Sequence, residues 1–200
     1  MQSFKTMKNF RDIAQYNSSV KPNHIFRGAA EDIMFVVNNI SENATIIDLR
    51  MPNEIYECDY SYKLKSNLSI INIPIDLEKA KRSYNGTPME NAYKYFALNC
   101  NAEIAKILNI VTDTNDKIFI HCRQGMDRTG FIVSILQLIC CTPIELIYQD
   151  YMQTGDVVLR KHLEISMQII DLKGGVDNYL TENIISPKAL LEIKNKISTI

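Results

Sequence analysis

The sequence lacks the features that mark several broad classes of protein. No apolar run in its 200 residues approaches the roughly 18 that a membrane-spanning helix needs, so no transmembrane segment is expected. The opening residues, MQSFKTMKNF, have no continuous apolar core of the kind a secretory signal carries, which makes the cytoplasm the expected compartment. A formal net charge of −1 argues against a broad basic surface, and hence against nucleic acid as a partner, while leaving room for a local basic pocket. Only three histidines are present, His24, His121 and His162. No two cysteines have CxxC spacing, so a metal site has few ligands to draw on, and neither a metal nor another cofactor is expected. The five cysteines, Cys58, Cys100, Cys122, Cys140 and Cys141, are odd in number and irregularly spaced, which speaks against a disulfide framework. No long linker, repeat or low-complexity tract divides the chain, and its length suits one domain over residues 1–200.

What is there is the material of an ordinary folded core, 46% hydrophobic and 22% charged. Four short apolar runs stand out: HIFRGA near residue 25, TIIDLR near 46, SIINIPI near 71 and KIFIHC near 119. They are rich in Ile and Phe and do not alternate cleanly, the pattern of strands covered on both faces. Helical segments lie between and after them. TPMENAYKYFALNC opens with Thr87, Pro88 and Glu90, a capping box with proline at the first helical position. Thr142, Pro143 and Glu145 repeat that grammar, Ser186–Pro187 starts a last helix, and Gly174–Gly175 interrupts the helical run before VDNYL. The order predicts an α/β fold: a central four- or five-stranded, mainly parallel sheet flanked by helices. The long crossover between the third and fourth strands is expected to hold one or two helices and to overhang a site.

The chemistry is concentrated in KIFIHCRQGMDRTGFIVSILQLICC, Lys117–Cys141. A strand followed by a helix places Cys122 at the carboxyl end of the strand, where open α/β sheets form ligand crevices. The intervening Arg123, Gln124, Gly125, Met126 and Asp127 form a loop whose amides can converge on one anion, with Gly125 allowing the tight turn. The helix beginning near Arg128 aims its positive end at the same point. Cysteines in such surroundings titrate at roughly 3.5–7.5 instead of about 8.5, so a nucleophilic thiolate is expected. The Arg128 guanidinium matches two oxygens of a phosphoryl group. The Thr129 hydroxyl is expected to donate to the sulfur and stabilise it as a leaving group. Cys140 and Cys141, on the apolar helix, read as packing residues.

The pattern HCxxGxxRTG, written here as HCRQGMDRTG, resembles the signature of the cysteine-based protein tyrosine phosphatase superfamily. NFRDIAQYN, IFRGAA, IIDLR followed by Glu54, IYQDYM and GGVDNYL occur in the order of the bacterial tyrosine/serine phosphatase family, which includes lipid-active members. The resemblance spans nearly the whole chain. It implies a protein tyrosine phosphatase-like fold, a phosphocysteine intermediate and no metal. It also implies a phosphorylated protein as partner, or a phosphoinositide or inositol phosphate. Two aspartates compete as general acid: Asp127 inside the loop, and Asp76 after the third strand, whose plain alternative is a helix cap. His121 is expected to orient the loop and stabilise the thiolate. Asp48, Arg50 and Glu54 fit an ion pair beneath the site, and Asp12 and Arg27 fit scaffold roles. Cys100 or Cys58 could trap an oxidised Cys122, although isolated thiols are the simpler reading. Tyr84, Tyr93 and Tyr95 suit either substrate stacking or core packing. Met126 stands where the family often has Lys, which weakens a lipid-phosphatase reading and is partly offset by Arg123. A second reading of the chain is therefore an inositol phosphate phosphatase, and a third is a phosphate-binding module without turnover, against which the intact nucleophile counts.

Overall fold

The computed structural model describes residues 9–33, 35–36, 43–57, 67–155 and 159–199. The expected sheet is present with five strands, in the order β1-β2-β5-β3-β4. β2 (Ile25–Ala29), β3 (Ala44–Asp48), β4 (Leu68–Asn72) and β5 (Lys117–Cys122) are parallel, and β1 (Arg11–Asp12) pairs antiparallel with β2. Ile46 and Phe119 pack on one face with Ile33, Val36 and Leu68. Ile47, Ile118 and Ile120 pack on the other, into the larger helical core. β3 and β5 are covered on both faces, as their sequences predict. β4 is not: Ser69, Ile71 and Asn72 are exposed, because this strand lies at the sheet edge.

The crossover from β4 to β5 carries three helices where one or two were expected: α2 (Leu77–Arg82), α3 (Pro88–Asn99) and α4 (Asn101–Asp113). α1 (Pro52–Glu57) follows β3. The capping box of α3 is formed, with Thr87 accepting from the Glu90 amide and the Glu90 carboxylate accepting from the Thr87 amide. The analogous box at Thr142 is not. Its hydroxyl donates to the Gln137 carbonyl at 2.6 Å and accepts from Asn17 Nδ2. A buried tertiary partner outcompetes the local amide, and Pro143 becomes the residue that precedes α6 (Ile144–Met152). α5 (Asp127–Ile139) is buried along almost its whole length, behind the sheet's central strand. Gly174, at φ 84°, lies between α7 (Arg160–Leu172) and α8 (Gly175–Asn183), whose first residue has φ 87°, and Ser186 caps α9 (Pro187–Ile197) through the Ala189 amide. No helix among the described residues is long and apolar enough to cross a membrane.

Candidate active site

Cys122 ends β5, the middle strand, beside Ala29 of β2. The residue is 3% exposed and lines a cavity of about 260 Å³ with Arg123, Gln124, Asp127 and Arg128 from the loop, Glu54 from α1, and Leu77, Glu78 and Lys81 from α2. The crossover thus overhangs the thiol, as anticipated.

The loop's orientation is set from outside. The Cys122 carbonyl faces His121 Nδ1 at 3.2 Å, and that of Arg123 accepts from the Ala30 amide at 3.2 Å. Those of Gln124 and Gly125 accept from Asn9 Nδ2 at 2.6 Å and Arg27 Nη2 at 3.0 Å, and that of Met126 accepts from the Gly130 amide at 2.6 Å. A trans peptide is planar, so each carbonyl turned outward turns the next N–H inward. The amides of residues 124–128 accordingly have no acceptor among the described residues, and the concavity is a nest for an anion. Gly125 adopts φ 68°, and a Cβ there would overlap the Gly28 carbonyl, so only glycine fits.

Arg128 is almost fully buried. Glu54 grips its end-on edge, with Nη1–Oε2 at 2.6 Å and Nη2–Oε1 at 2.7 Å. Nη1 also donates to the carbonyls of Leu49 and Ile75, both at 3.3 Å. Nε–H and the second Nη2–H have no partner among the described residues, which leaves a two-donor fork suited to an oxyanion. Burial pushes the guanidinium pKa down, but Glu54 outweighs it and the net shift is upward. Burial would raise the Glu54 carboxyl, yet the Arg128 hydrogen bonds hold it below its usual range. Asp48 and Arg50 form the expected buried pair at 2.8 Å beneath the loop, while Glu54 reaches Arg128. His121 is wholly buried, with Nε2 3.6 Å from Asp48. Burial pushes it down to about 4 against the pull of Asp48, so near neutral pH it is an uncharged brace on the loop backbone.

The two competing aspartates occupy different places. Asp127 lines the cavity with Cys122. Asp76 caps α2, accepting from the Lys79 amide at 2.9 Å, and lines an adjoining cavity of about 430 Å³ with Arg82 and Arg123. Thr129 departs from expectation. Its hydroxyl is buried and makes no hydrogen bond among the described residues, so the anticipated bond to the sulfur is not formed. The first turn of α5 holds this β-branched side chain within the packed core. Of the three tyrosines, Tyr93 is core, and its hydroxyl donates to Asp127 Oδ1 at 2.9 Å. Tyr84 bonds Asn99 at the surface. Tyr151, which also meets Tyr93, lies in the IYQDYM segment of the resemblance, but the sequence assigns it no role. Arg27 and Asp12 are scaffold, as expected: Arg27 pairs with Asp150 at 2.7 Å, and Asp12 accepts from the amides of Ala14 and Asn23. Cys100 is a buried thiol pushed up to about 12 by burial, which makes it a poor resolving nucleophile. Cys58 lies outside the described residues. Cys140 is buried, as a packing residue should be, whereas Cys141 is exposed at the helix end.

An anion nest, a buried thiol and a braced arginine at the mouth of a parallel sheet together define a phosphatase of the cysteine-based superfamily. The chain matches the family model described as "Tyrosine phosphatase family" over residues 2–198, and it belongs to that family. No curated protein matches it at a significant level. Among solved structures, the Siw14 catalytic core shares 14% identity at a TM-score of 0.52, over 87% of this chain and 94% of that one. The core catalytic domain of the PP-IP phosphatase SIW14 from S. cerevisiae, in complex with citrate, shares 16% identity at 0.47, over 87% and 95%. P. aeruginosa TpbA shares 11% at 0.48, over 82% and 94%. At 14% identity the likeness to the Siw14 catalytic core is one of fold.

Proposed function

We propose that the chain is one phosphatase domain that hydrolyses phosphomonoesters through a phosphocysteine intermediate, with protein phosphotyrosine as its main substrate and phosphoserine and phosphothreonine as slower ones. The observation that carries this reading is that Cys122, 3% exposed, lines a 260 Å³ cavity beside loop amides that have no acceptor among the described residues. A nucleophile so little exposed is reached most easily by an ester on a long, flat ring. The inward amides and the Arg128 fork hold the equatorial oxygens, because phosphoryl transfer depends mainly on positioning and charge stabilisation. The Cys122 sulfur, attacking as thiolate, forms the S–P bond as the ester P–O bond breaks, and Asp127 gives its proton to the departing oxygen. Water then attacks phosphorus and loses a proton to Asp127. The P–S bond breaks, returning the thiolate and releasing inorganic phosphate.

A phosphorylated inositol ring is the second reading, favoured by Lys81 and Arg123 on the cavity wall and Arg82 in the adjoining space. Lys81 is already paired with Glu78 at 2.8 Å, and the loop has Met126 in place of a further cation, so the protein substrate is preferred. The test is Cys122→Ser assayed on phosphotyrosine peptide, phosphoserine peptide and inositol phosphates. Turnover should vanish while phosphotyrosine peptide still binds. Appreciable residual turnover excludes the covalent route, and a wild-type preference for inositol phosphates reverses the substrate assignment.

A further inference from the structure

Asp127 ends a directed chain of phenols. Tyr93 lies on α3, in the crossover, and is completely buried. Its one hydroxyl proton is committed to Asp127 Oδ1 at 2.9 Å. In its other contact, 2.6 Å to Tyr151 Oη, Tyr151 must therefore be the donor. Hydrogen bonds in such a chain polarise one another. Both phenols stay protonated: burial first, then the charge of Asp127, lifts Tyr93 well above the usual phenol range, and burial lifts Tyr151.

The chain has little slack. The Tyr93 ring stacks on His162 at 5.8 Å, tilts against Phe96 at 5.4 Å and meets Tyr151 edge-on at 6.3 Å. Its carbonyl accepts from Ser166 Oγ of α7 at 2.7 Å. Tyr151 lies so close over Gly130 that a Cβ there would come within 2.9 Å of its ring. Residues of α6 and α7 thus hold in place the α3 phenol that donates to this carboxylate oxygen.

We infer that Tyr93 and Tyr151 are positioning residues that clamp Asp127 Oδ1 and so present Oδ2 to the leaving oxygen and then to the attacking water. This rests on Asp127 being the proton donor. Without the clamp an aspartate at a helix start has competing uses for both oxygens, the adjacent Arg128 and the free amides of the first turn. With Oδ1 held as an acceptor, the transferable proton resides on Oδ2. It passes to the ester oxygen as P–O breaks and is recovered from water before P–S breaks, and the phenols keep their own protons throughout.

The experiment compares phenyl phosphate, whose leaving group needs the proton, with p-nitrophenyl phosphate, which needs it far less. It uses wild type, Tyr93→Phe, Tyr151→Phe, Asp127→Asn and the Tyr93→Phe/Asp127→Asn double variant. Tyr93→Phe keeps the ring and its packing. It should lower kcat for phenyl phosphate about tenfold, a fraction of what a general acid supplies, with a much smaller effect on p-nitrophenyl phosphate and KM unchanged. Tyr151→Phe should act in the same direction more weakly, and it reads the clamp independently with the Tyr93 hydroxyl in place. In the Asp127→Asn background, Tyr93→Phe should do nothing further. If Asp127→Asn slows phenyl phosphate selectively but neither phenol variant does, the clamp is wrong and the role of Asp127 stands. If Asp127→Asn itself leaves the ratio of the two esters unchanged, the proton-donor assignment fails first. Equal slowing of both esters by Tyr93→Phe, persisting in the double variant, makes the tyrosine merely structural and overturns the inference.

Discussion

His121 is the clearest residue-scale case of burial deciding chemistry. Its ring is inaccessible, touches the Cys122 carbonyl and faces Asp48. Burial, the largest influence, drives it from the ordinary 6.5 to about 4 although the carboxylate pulls the other way. The unfolded chain therefore binds a proton that the folded one refuses. The stabilisation tied to the neutral ring is complete above about pH 6.5 and is lost as pH falls toward about 4. Urea midpoints measured from pH 7.5 to 4.5 should fall steeply for the wild type and less steeply for His121→Asn. Parallel curves for the two proteins would place the titrating group elsewhere. Arg128 poses the opposite problem, a cation that stays charged in the interior. The two-point grip of Glu54 offsets the cost of that burial and at the same time fixes which edge of the guanidinium faces substrate.

At the scale of elements, α2 is a six-residue helix held at its start by Asp76. Removing an N-cap costs about 1 kcal/mol, so Asp76→Ala should lower stability by about that amount in denaturant titration. It should leave the phenyl to p-nitrophenyl rate ratio as in the wild type, and a fallen ratio would move the proton donor to Asp76. The strands, the caps at Thr87 and Ser186 and the break at Gly174 were legible in the sequence because each rests on residues within about one turn of one another. Cys122, Gly125 and Arg128 were legible for the same reason, since one loop contains them all. What escaped was set by distance along the chain. β1 is two residues long and has no periodicity to show. Thr142 reads as a cap until Asn17, 125 positions away, takes its oxygen. Glu54 meets Arg128 across 74 positions, and Tyr93 meets Asp127 across 34. Such pairs leave no local spacing to detect, and only the packing of the helices over the sheet brings them together.

At the scale of the whole molecule, Asp150 joins parts that the chain keeps far apart. From α6, its Oδ1 accepts from Arg11 Nε at 2.6 Å, its Oδ2 from Arg27 Nη1 at 2.7 Å and its carbonyl from Arg11 Nη2 at 2.7 Å. Arg27 in turn donates to the Gly125 carbonyl. One carboxylate thus pairs with two buried guanidiniums, ties the antiparallel edge strand to the helical layer and holds the anion loop from behind. Asp150→Asn keeps the shape and removes the charge, leaving two cations in the interior without compensation. Breaking buried pairs in this way costs about 3–5 kcal/mol, which for a chain of this size corresponds to a fall in Tm of about 10 °C. Because Arg27 also sets the direction of the loop amides, inorganic phosphate should bind more weakly to the variant even at temperatures where it remains folded. Thermal unfolding with and without phosphate measures both effects at once. A variant with lowered Tm and unchanged phosphate stabilisation would show that the hub supports the fold alone, and an unchanged Tm would show that the two arginines find their compensation elsewhere.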